Sequence, residues 1–337
     1  MIKDAIATLA DRGSLTEQVA ESVMLEIMEG AATSAQIAAY LMGLRLKGET
    51  VEEISGSVRA MRAKAVRIPV GDSLVVDTCG TGGDGAHTFN ISTTTALVLA
   101  GAGLTVAKHG NRSVSSKSGS ADVLSALGVK IDLPTERVAD CINEVGIGFL
   151  FAPLYHGAMK HSASLRQELG IRTMLNILGP LTNPAGATIQ VLGVYESRLT
   201  ALLGNVLMHL GSQHCFVVHG MDGLDEITLT AKTQISEAKG GVLSNYLLDP
   251  AEFGLALVPA KQLAGGTPQE NAAITRDILQ GRKGPKRDIV CLNAAPALVA
   301  VRKAASLQDG FLVAGEAISS GAAAEKLAHL VAFTNKG

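Results

Sequence analysis

Residues 77–84 read Asp-Thr-Cys-Gly-Thr-Gly-Gly-Asp, and residues 88–94 read Thr-Phe-Asn-Ile-Ser-Thr-Thr. They follow the apolar run Leu74-Val-Val76 and precede Thr95-Ala-Leu-Val-Leu-Ala100, a pattern that predicts a strand, a glycine loop and a buried helix. Such a loop presents backbone N–H groups to a phosphate, and its three glycines let the backbone approach a ligand closely. The alternative is a turn whose glycines serve tightness alone.

A second polar segment follows the next predicted strand, Leu104-Thr-Val-Ala107. It reads Lys108-His-Gly-Asn-Arg-Ser-Val-Ser-Ser-Lys117. Its cations and hydroxyls suit an anion with several oxygens, which arginine binds in a bidentate way, although a solvated polar loop would look similar. Because ligands bind at the carboxyl ends of parallel strands, the two loops are predicted to share one phosphate site.

Composition excludes several classes of protein. The chain has 337 residues, 47% of them hydrophobic, and a formal net charge of −2, so it lacks the basic surface of a nucleic-acid-binding protein. Its four cysteines are scattered without a Cys-x-x-Cys pair, which is typical of reduced thiols. No leader and no membrane-spanning run is evident. We expect a cytoplasmic protein with small-molecule partners and no nucleic-acid or membrane partner.

Residues 1–68 are predicted to form a small helical domain. Ser14, Thr33 and Thr50 each stand three residues before a Glu or Gln, which is the capping-box pattern of a helix start. A further helical segment at 156–184 is expected to join this domain. Its apolar faces are candidates for dimerisation.

From residue 69 to residue 337, strands alternate with helices. This alternation predicts an α/β domain with a mainly parallel central sheet flanked by helices. Residues 233–235 and 242–246 are expected to pair as antiparallel strands. Thr267 opens another capping box, and Asp288-Ile-Val-Cys-Leu292 is predicted to be a last strand.

Three further features are candidates for chemistry. The adjacent carboxylates Asp225 and Glu226 suit Mg²⁺ beside a phosphate, although an acidic pair on the surface is the plainer interpretation. His109 is the one histidine inside a candidate site. Arg166 suits the carboxylate of a substrate, or an ion pair with Glu168.

Several motifs, taken together, resemble the anthranilate phosphoribosyltransferase family of tryptophan biosynthesis. They are Gly80-Thr-Gly-Gly-Asp84, Asn90-Ile-Ser-Thr93, Lys108-His-Gly-Asn-Arg-Ser-Val-Ser-Ser116, Gly119-Ser-Ala-Asp122, Arg166 with Leu169-Gly-Ile-Arg-Thr173, Asn176-Ile-Leu-Gly-Pro-Leu-Thr-Asn-Pro184 and Asp225-Glu226. The resemblance implies the nucleoside-phosphorylase-like fold and a homodimer formed through the helical domain. The implied reaction joins anthranilate to 5-phosphoribosyl 1-diphosphate (PRPP), giving phosphoribosyl-anthranilate and diphosphate.

The resemblance also implies roles for individual residues. The diphosphate substrate is expected to contact Gly80, Gly83, Asp84, Thr88, Asn90, Ile91, Ser92, Thr93, Lys108, His109, Gly110, Asn111, Arg112, Ser113, Val114, Ser115, Ser116 and Ser120. Anthranilate is expected at Gly80, Asn111 and Arg166, and Mg²⁺ at Ser92, Asp225 and Glu226. His109, Asn111 and Arg166 are the implied catalytic residues, acting by positioning around an oxocarbenium-like displacement.

The chain departs from this family in one segment. Family members often have proline where this chain has Gly157 and Ser164, and the loss of proline loosens the backbone before Arg166. Two other functions stay open: a pyrimidine nucleoside phosphorylase and a non-catalytic nucleic-acid-binding relative of the same fold. The Lys-His-Gly-Asn loop argues against the first, and the net charge of −2 argues against the second.

Overall fold

The first part of the chain is helical in the computed structural model, which describes residues 1–71, 74–113, 117–159, 165 and 168–336. The helices are α1 (Ile2–Ala10), α2 (Glu17–Met28), α3 (Ser34–Lys47) and α4 (Val51–Lys64). Thr33 and Thr50 form the predicted capping boxes. The predicted box at Ser14 is wrong, because Thr16 accepts the hydrogen bond from the N–H of Val19 and α2 begins two residues later than expected.

A seven-stranded sheet forms the centre of the rest of the chain. Its strands are β1 (Val75–Gly80), β2 (Thr105–Gly110), β3 (Ile147–Phe151), β4 (Ile189–Gly193), β5 (His214–Gly220), β6 (Thr233–Lys239) and β7 (Val242–Leu248). The spatial order is β3-β2-β1-β4-β5-β6-β7. The pairs from β3 to β5 are parallel, while β6 and β7 are antiparallel as predicted. The strand order reverses between β1 and β4, where a parallel sheet opens a crevice for ligands.

Helices cover both faces of this sheet. They are α5 (Ile91–Gly101), α6 (Ser120–Leu127), α7 (Thr135–Val145), α8 (Ala152–Tyr155), α9 (Leu175–Leu178), α10 (Arg198–His209), α11 (Pro268–Leu279), α12 (Pro285–Ala300), α13 (Leu307–Ser319) and α14 (Ala322–Asn335). Along β4, Val191 packs in the apolar cluster that contains α5 and α12, and Leu192 packs in the cluster that contains α1 to α4. This alternation is the period of two expected of a strand that is buried on both faces.

The helical domain and the second half of the chain share one apolar cluster. Met174, Leu178 and Leu181 pack in the same cluster as Tyr40 and Leu44 of α3. The fold class is thus confirmed: a helical N-terminal domain precedes a larger α/β domain with a mostly parallel sheet. The border at residue 68 and the assignment of 156–184 to the first domain stay predictions.

Two local predictions are wrong. Residues 288–292 lie inside α12 and not in a strand, because this helix is buried on all sides over Ile289–Leu298 and so shows no polar stripe at helical spacing. Lys108, His109 and Gly110 belong to β2, so the second loop begins only at Asn111. None of the helices in the described part of the chain combines the length and the apolar composition that a membrane span needs.

Candidate active site

The two predicted loops meet in one cleft of about 630 Å³ at the carboxyl edge of the sheet. The cleft is lined by Cys79, Gly80, Thr81, Gly82, Gly83, Asn90, Ser92, Thr93, Lys108, His109, Gly110, Asn111, Arg112, Ser113, Gly119, Ser120, Gly170, Ile171, Arg172, Leu175, Asn176, Gly179, Pro180, Asp225 and Glu226. The central parallel strands all point their carboxyl ends toward it. The predicted convergence of the two loops is therefore present.

Lys108 brings a buried positive charge to the floor of the cleft. Its Nζ donates to the carbonyl of Thr78 at 2.5 Å and lies 3.5 Å from Ser92 Oγ. Beneath it, Asp77 accepts from the N–H of His109 at 3.1 Å and from Asn183 Nδ2 at 2.8 Å. Burial raises the pKa of Asp77, and Lys108 acts in the opposite direction. The Asp77 carboxyl thus fixes the end of β2 and balances the charge of Lys108.

Asp225 and Glu226 reach from the turn after β5 to the first loop. Asp225 Oδ2 accepts from the N–H of Gly82 at 2.7 Å, and Glu226 Oε1 accepts from the N–H of Ser92 at 3.1 Å. Burial, with Asp84 next, raises the pKa of Asp225 to about 7. Burial, with the charge of Asp225 next, raises the pKa of Glu226 well above its usual range, while the charge of Lys108 acts to lower it. Two half-buried acids that repel each other in this way are stabilised by a nearby cation.

Two glycines let this turn approach the sheet. A Cβ on Gly80 would lie 2.4 Å from Asp225 Oδ2, and a Cβ on Gly193 would lie 1.5 Å from the Asp225 carbonyl oxygen. No side chain fits at such distances, so glycine at the ends of β1 and β4 is required for the acids to reach the cleft.

His109 is a neutral group in the cleft wall. Burial, with His156 and Lys108 next, lowers its pKa to about 3. The rings of His109 and His156 lie edge to face with centroids 5.2 Å apart, and burial lowers the pKa of His156 to about 4. Within the described part of the chain, His109 Nε2 is buried without a hydrogen-bond partner. Such an imidazole serves as a hydrogen-bonding group and is too weakly basic to take up a proton at neutral pH.

The second loop is held by Asp122 of α6. Its carboxylate accepts from the N–H groups of Ser113 at 3.0 Å and Gly119 at 2.9 Å, and from Arg112 Nη1 at 2.8 Å. Ser120 Oγ accepts from the N–H of Asn111 at 3.1 Å. The charge of Arg112 is therefore partly neutralised by Asp122. Ser120 fixes the backbone of Asn111 through its hydroxyl.

The sequence matches family models and known proteins over nearly its whole length. The family model described as glycosyl transferase family, a/b domain, matches residues 72–324, and that described as glycosyl transferase family, helical bundle domain, matches residues 3–65. The anthranilate phosphoribosyltransferase of Acetivibrio thermocellus is 54% identical over 335 residues, covering 99% of this chain and 97% of that protein. The enzyme of the same name from Pelotomaculum thermopropionicum is 55% identical over 334 residues, covering 99% and 97%.

The chain belongs to the anthranilate phosphoribosyltransferase family. Solved structures of the family share its fold. The crystal structure from Thermus thermophilus is 44% identical, covers 99% of this chain and 100% of that one, and has a TM-score of 0.93. The structure from Saccharomyces cerevisiae in complex with PRPP and Mg is 28% identical, covers 99% and 97%, and has a TM-score of 0.90.

Not every residue that the family resemblance suggested lines the described cleft. Arg166, Val114, Ser115 and Ser116 lie outside the described residues. Of the described ones, Asp84, Thr88 and Ile91 stand apart from the lining given above: Thr88 forms a bridge with Ala264, Ile91 is buried in the core, and Asp84 lies beside Asp225. Their contacts with substrate stay predictions.

Sequence reasoning missed two residues that shape this family site. Asn293 of α12 accepts from the N–H of Ile227 and donates to its carbonyl, both at 2.8 Å, and so fixes the residue after Glu226. The sequence does not reveal the role of Asn293, because the pattern of residues 288–292 predicts a strand and not a buried helix. Arg172 donates to the carbonyl of Gly83 and stacks on the ring of Tyr195, with its Cζ 3.9 Å from the centroid. The sequence does indicate Arg172, because it lies in the family motif Leu169-Gly-Ile-Arg-Thr173.

The donor set fits a magnesium ion. The Asp225 and Glu226 carboxylates and the Ser92 hydroxyl are hard oxygen ligands gathered at one side of the cleft. Within the described residues, no group of three or more His, Cys, Asp or Glu side chains could hold a metal alone. A site with two carboxylates suits Mg²⁺, which keeps waters and shares its coordination with substrate phosphates.

Proposed function

We propose that the chain transfers the phosphoribosyl group of PRPP to the amine of anthranilate, giving N-(5-phosphoribosyl)anthranilate and diphosphate in tryptophan biosynthesis. The observation that carries the proposal is the convergence of both phosphate-type loops and the acid pair on one cleft, in a chain of this family. The activity is that of a pentosyl-transferring glycosyltransferase.

Different residues of the cleft are assigned to different parts of the PRPP molecule. The N-terminus of α5, with the hydroxyls of Ser92 and Thr93, and the glycine loop that ends at Gly83 line the edge of the cleft assigned to phosphate oxygens. In this structure, the N–H groups of Gly82 and Ser92 donate to the acid pair. Lys108 offers a buried cation at the same edge. Asn111, Arg112 and Ser113 approach from the second loop. This arrangement holds a polyanion from two sides and leaves the sugar between the loops.

Ser92, Asp225 and Glu226 are the residues that would hold Mg²⁺. When bound, the ion supplies positive charge to the departing diphosphate. The S. cerevisiae relative in complex with PRPP and Mg supports this assignment. The chain's own contribution is a pair of half-buried acids, whose pKa values are raised by desolvation and by repulsion from neighbouring carboxylates, and a cation beside them would relieve that repulsion.

The acceptor is proposed to bind beside Gly80 and Asn111, with Arg166 holding its carboxylate. His109, which is neutral and lines the cleft, is proposed to hydrogen-bond the amine. Because its pKa is about 3, His109 orients the amine and does not remove its proton. Catalysis is therefore by positioning and charge stabilisation.

A fluorescence assay tests this function directly. The chain contains no Trp, so the fluorescence of anthranilate can be followed without tryptophan emission from the protein. Anthranilate consumption that requires PRPP, Mg²⁺ and enzyme together is the expected result. Phosphorolysis of thymidine or uridine with no turnover of anthranilate would replace the proposal by a nucleoside phosphorylase. Salt-dependent DNA binding without turnover of either kind would indicate a non-catalytic relative.

The proposal extends to assembly and location. A homodimer through the helical domain follows from the family resemblance, and Leu46 on α3, which is 76% exposed, is a position at which it can be tested. The four cysteines are buried and unpaired, as expected of the reducing cytoplasm. Light scattering at several protein concentrations tests the dimer, and Leu46→Lys is expected to shift it toward monomer.

A further inference from the structure

Asn90 stands at the N-cap position of α5 but does not cap the helix. Asparagine at this position ordinarily accepts a hydrogen bond from an N–H of the first turn. Here, among the described residues, the Asn90 side chain makes no such bond. The first turn of α5 instead donates the N–H of Ser92 to Glu226 Oε1 at 3.1 Å. The N–H of Ser92, which faces the phosphate side of the cleft, is therefore not bonded to the Asn90 side chain.

The Asn90 side chain is bound elsewhere. Its Nδ2 donates to the carbonyl of Ser118 at 3.1 Å, and its Oδ1 accepts from Ser118 Oγ at 3.1 Å and from Asn271 Nδ2 at 2.9 Å. Ser118 lies at the end of the second loop, and Asn271 lies on α11. Asn90 therefore ties the first loop to the second, and Asn271 holds it there.

Asn271 is itself fixed and buried. It is 1% exposed, and its Oδ1 accepts from the N–H of Gly266 at 2.8 Å. One turn later on the same helix, Thr275 Oγ1 lies 3.0 Å from Thr94 Oγ1 of α5, so a second hydrogen bond joins α11 to the first turn of α5. A buried amide with both ends bonded adopts one orientation, which presents its Nδ2 to Asn90.

We propose that Asn271 is a positioning residue for the binding of PRPP. Its amide holds the Asn90 side chain away from the N-terminus of α5. The proposal rests on the proposed function, because it assigns the α5 N–H groups to a phosphate of PRPP. Without the Asn271 amide, Asn90 loses one of its three bonds and turns back to cap α5. The cap and the phosphate then compete for the same donors.

The test compares Asn271→Ala with Thr275→Val. The two residues lie on the same helix, each is 1% exposed, and each makes a side-chain hydrogen bond at the start of α5. Asn271→Ala is expected to raise the KM for PRPP about tenfold, as the loss of a hydrogen bond of ordinary strength would, with the KM for anthranilate unchanged. Thr275→Val should change neither KM, and the affinity for inorganic diphosphate with Mg²⁺, measured by calorimetry, should fall only in the Asn271 variant.

A double-mutant cycle tests whether Asn271 acts through the Asn90 side chain. In an Asn90→Ala background there is no side chain to cap α5, so Asn271→Ala should have no further effect on the KM for PRPP. Additive effects of the two substitutions, or equal changes in both KM values, would overturn the proposal. If Asn271→Ala does not fold, Asn271→Asp keeps the acceptor for Gly266 and carries the same expectation.

The cycle also separates this inference from the proposed function. Wild-type protein that does not consume anthranilate refutes the function itself. Wild-type protein that does, together with an Asn271→Ala variant of unchanged KM for PRPP, refutes only the role of Asn271.

Discussion

Asp225 Oδ2 accepts a 2.7 Å hydrogen bond from the N–H of Gly82, a residue 143 positions earlier in the chain. Glu226 makes the equivalent bond to the N–H of Ser92. The N–H groups that sequence patterns assign to phosphate thus donate to carboxylates. Because a carboxylate and a phosphate seek the same donors, a cation that draws the acids toward the phosphate resolves the competition.

The acid pair is expected to cost stability and to serve function. A carboxyl pKa raised on folding means that the folded state binds protons more tightly, so stability falls as pH rises from about 4 toward 7. Asp225→Asn together with Glu226→Gln should therefore raise the Tm of the metal-free protein at pH 8. The same variant should lose most turnover and its Mg²⁺ dependence. An unchanged Mg²⁺ titration would remove the metal role.

Gly193→Ala should abolish activity by displacing the turn that carries Asp225. The new Cβ would lie 1.5 Å from the Asp225 carbonyl oxygen, so strand β4 or the turn must move, at a cost of roughly 1–3 kcal/mol or more. Gly71→Ala is the control, because a Cβ there meets no atom of the described residues within 4 Å. Urea unfolding and the turnover number measure both effects. A Gly193→Ala variant of wild-type activity would contradict the close approach of the turn.

His109 should make the protein sensitive to acid. Burial, His156 and Lys108 lower its pKa to about 3, below its ordinary value, so its stabilisation is complete above pH about 6.5 and is lost as pH falls. His109→Gln should reduce the loss of unfolding free energy between pH 7 and pH 5 by roughly 1–2 kcal/mol. The exposed His329, changed to Gln, should leave the wild-type slope. Equal slopes in all three proteins would contradict a neutral, buried His109.

Arg166→Ala tests the carboxylate clamp that the sequence predicts. Loss of a charge-assisted, bidentate contact should raise the KM for anthranilate at least tenfold, with a much smaller effect on the KM for PRPP. Steady-state kinetics with each substrate varied in turn gives both constants. Equal increases in the two constants would assign Arg166 a general structural role.

Local sequence patterns predicted the elements that make the site. A strand, a glycine loop and a helix start appear in that order from Val75 to Gly101, and the helix caps at Thr33, Thr50 and Thr267 are where the capping boxes place them. These features are encoded within a few residues, because they depend on backbone conformation and on hydrogen bonds to near neighbours. The failure at 288–292 follows from the same rule, since a fully buried helix has no polar face to reveal its period.

The sequence alone therefore determined the α/β class, the two phosphate-type loops and the family motifs. Only the tertiary structure placed Asp225 on the glycine loop, Asn293 on the residue after Glu226, and Asn271 on Asn90. Each of these contacts joins segments more than sixty residues apart. The physical reason is that buried polar groups must find partners wherever packing brings them, and packing depends on the whole chain.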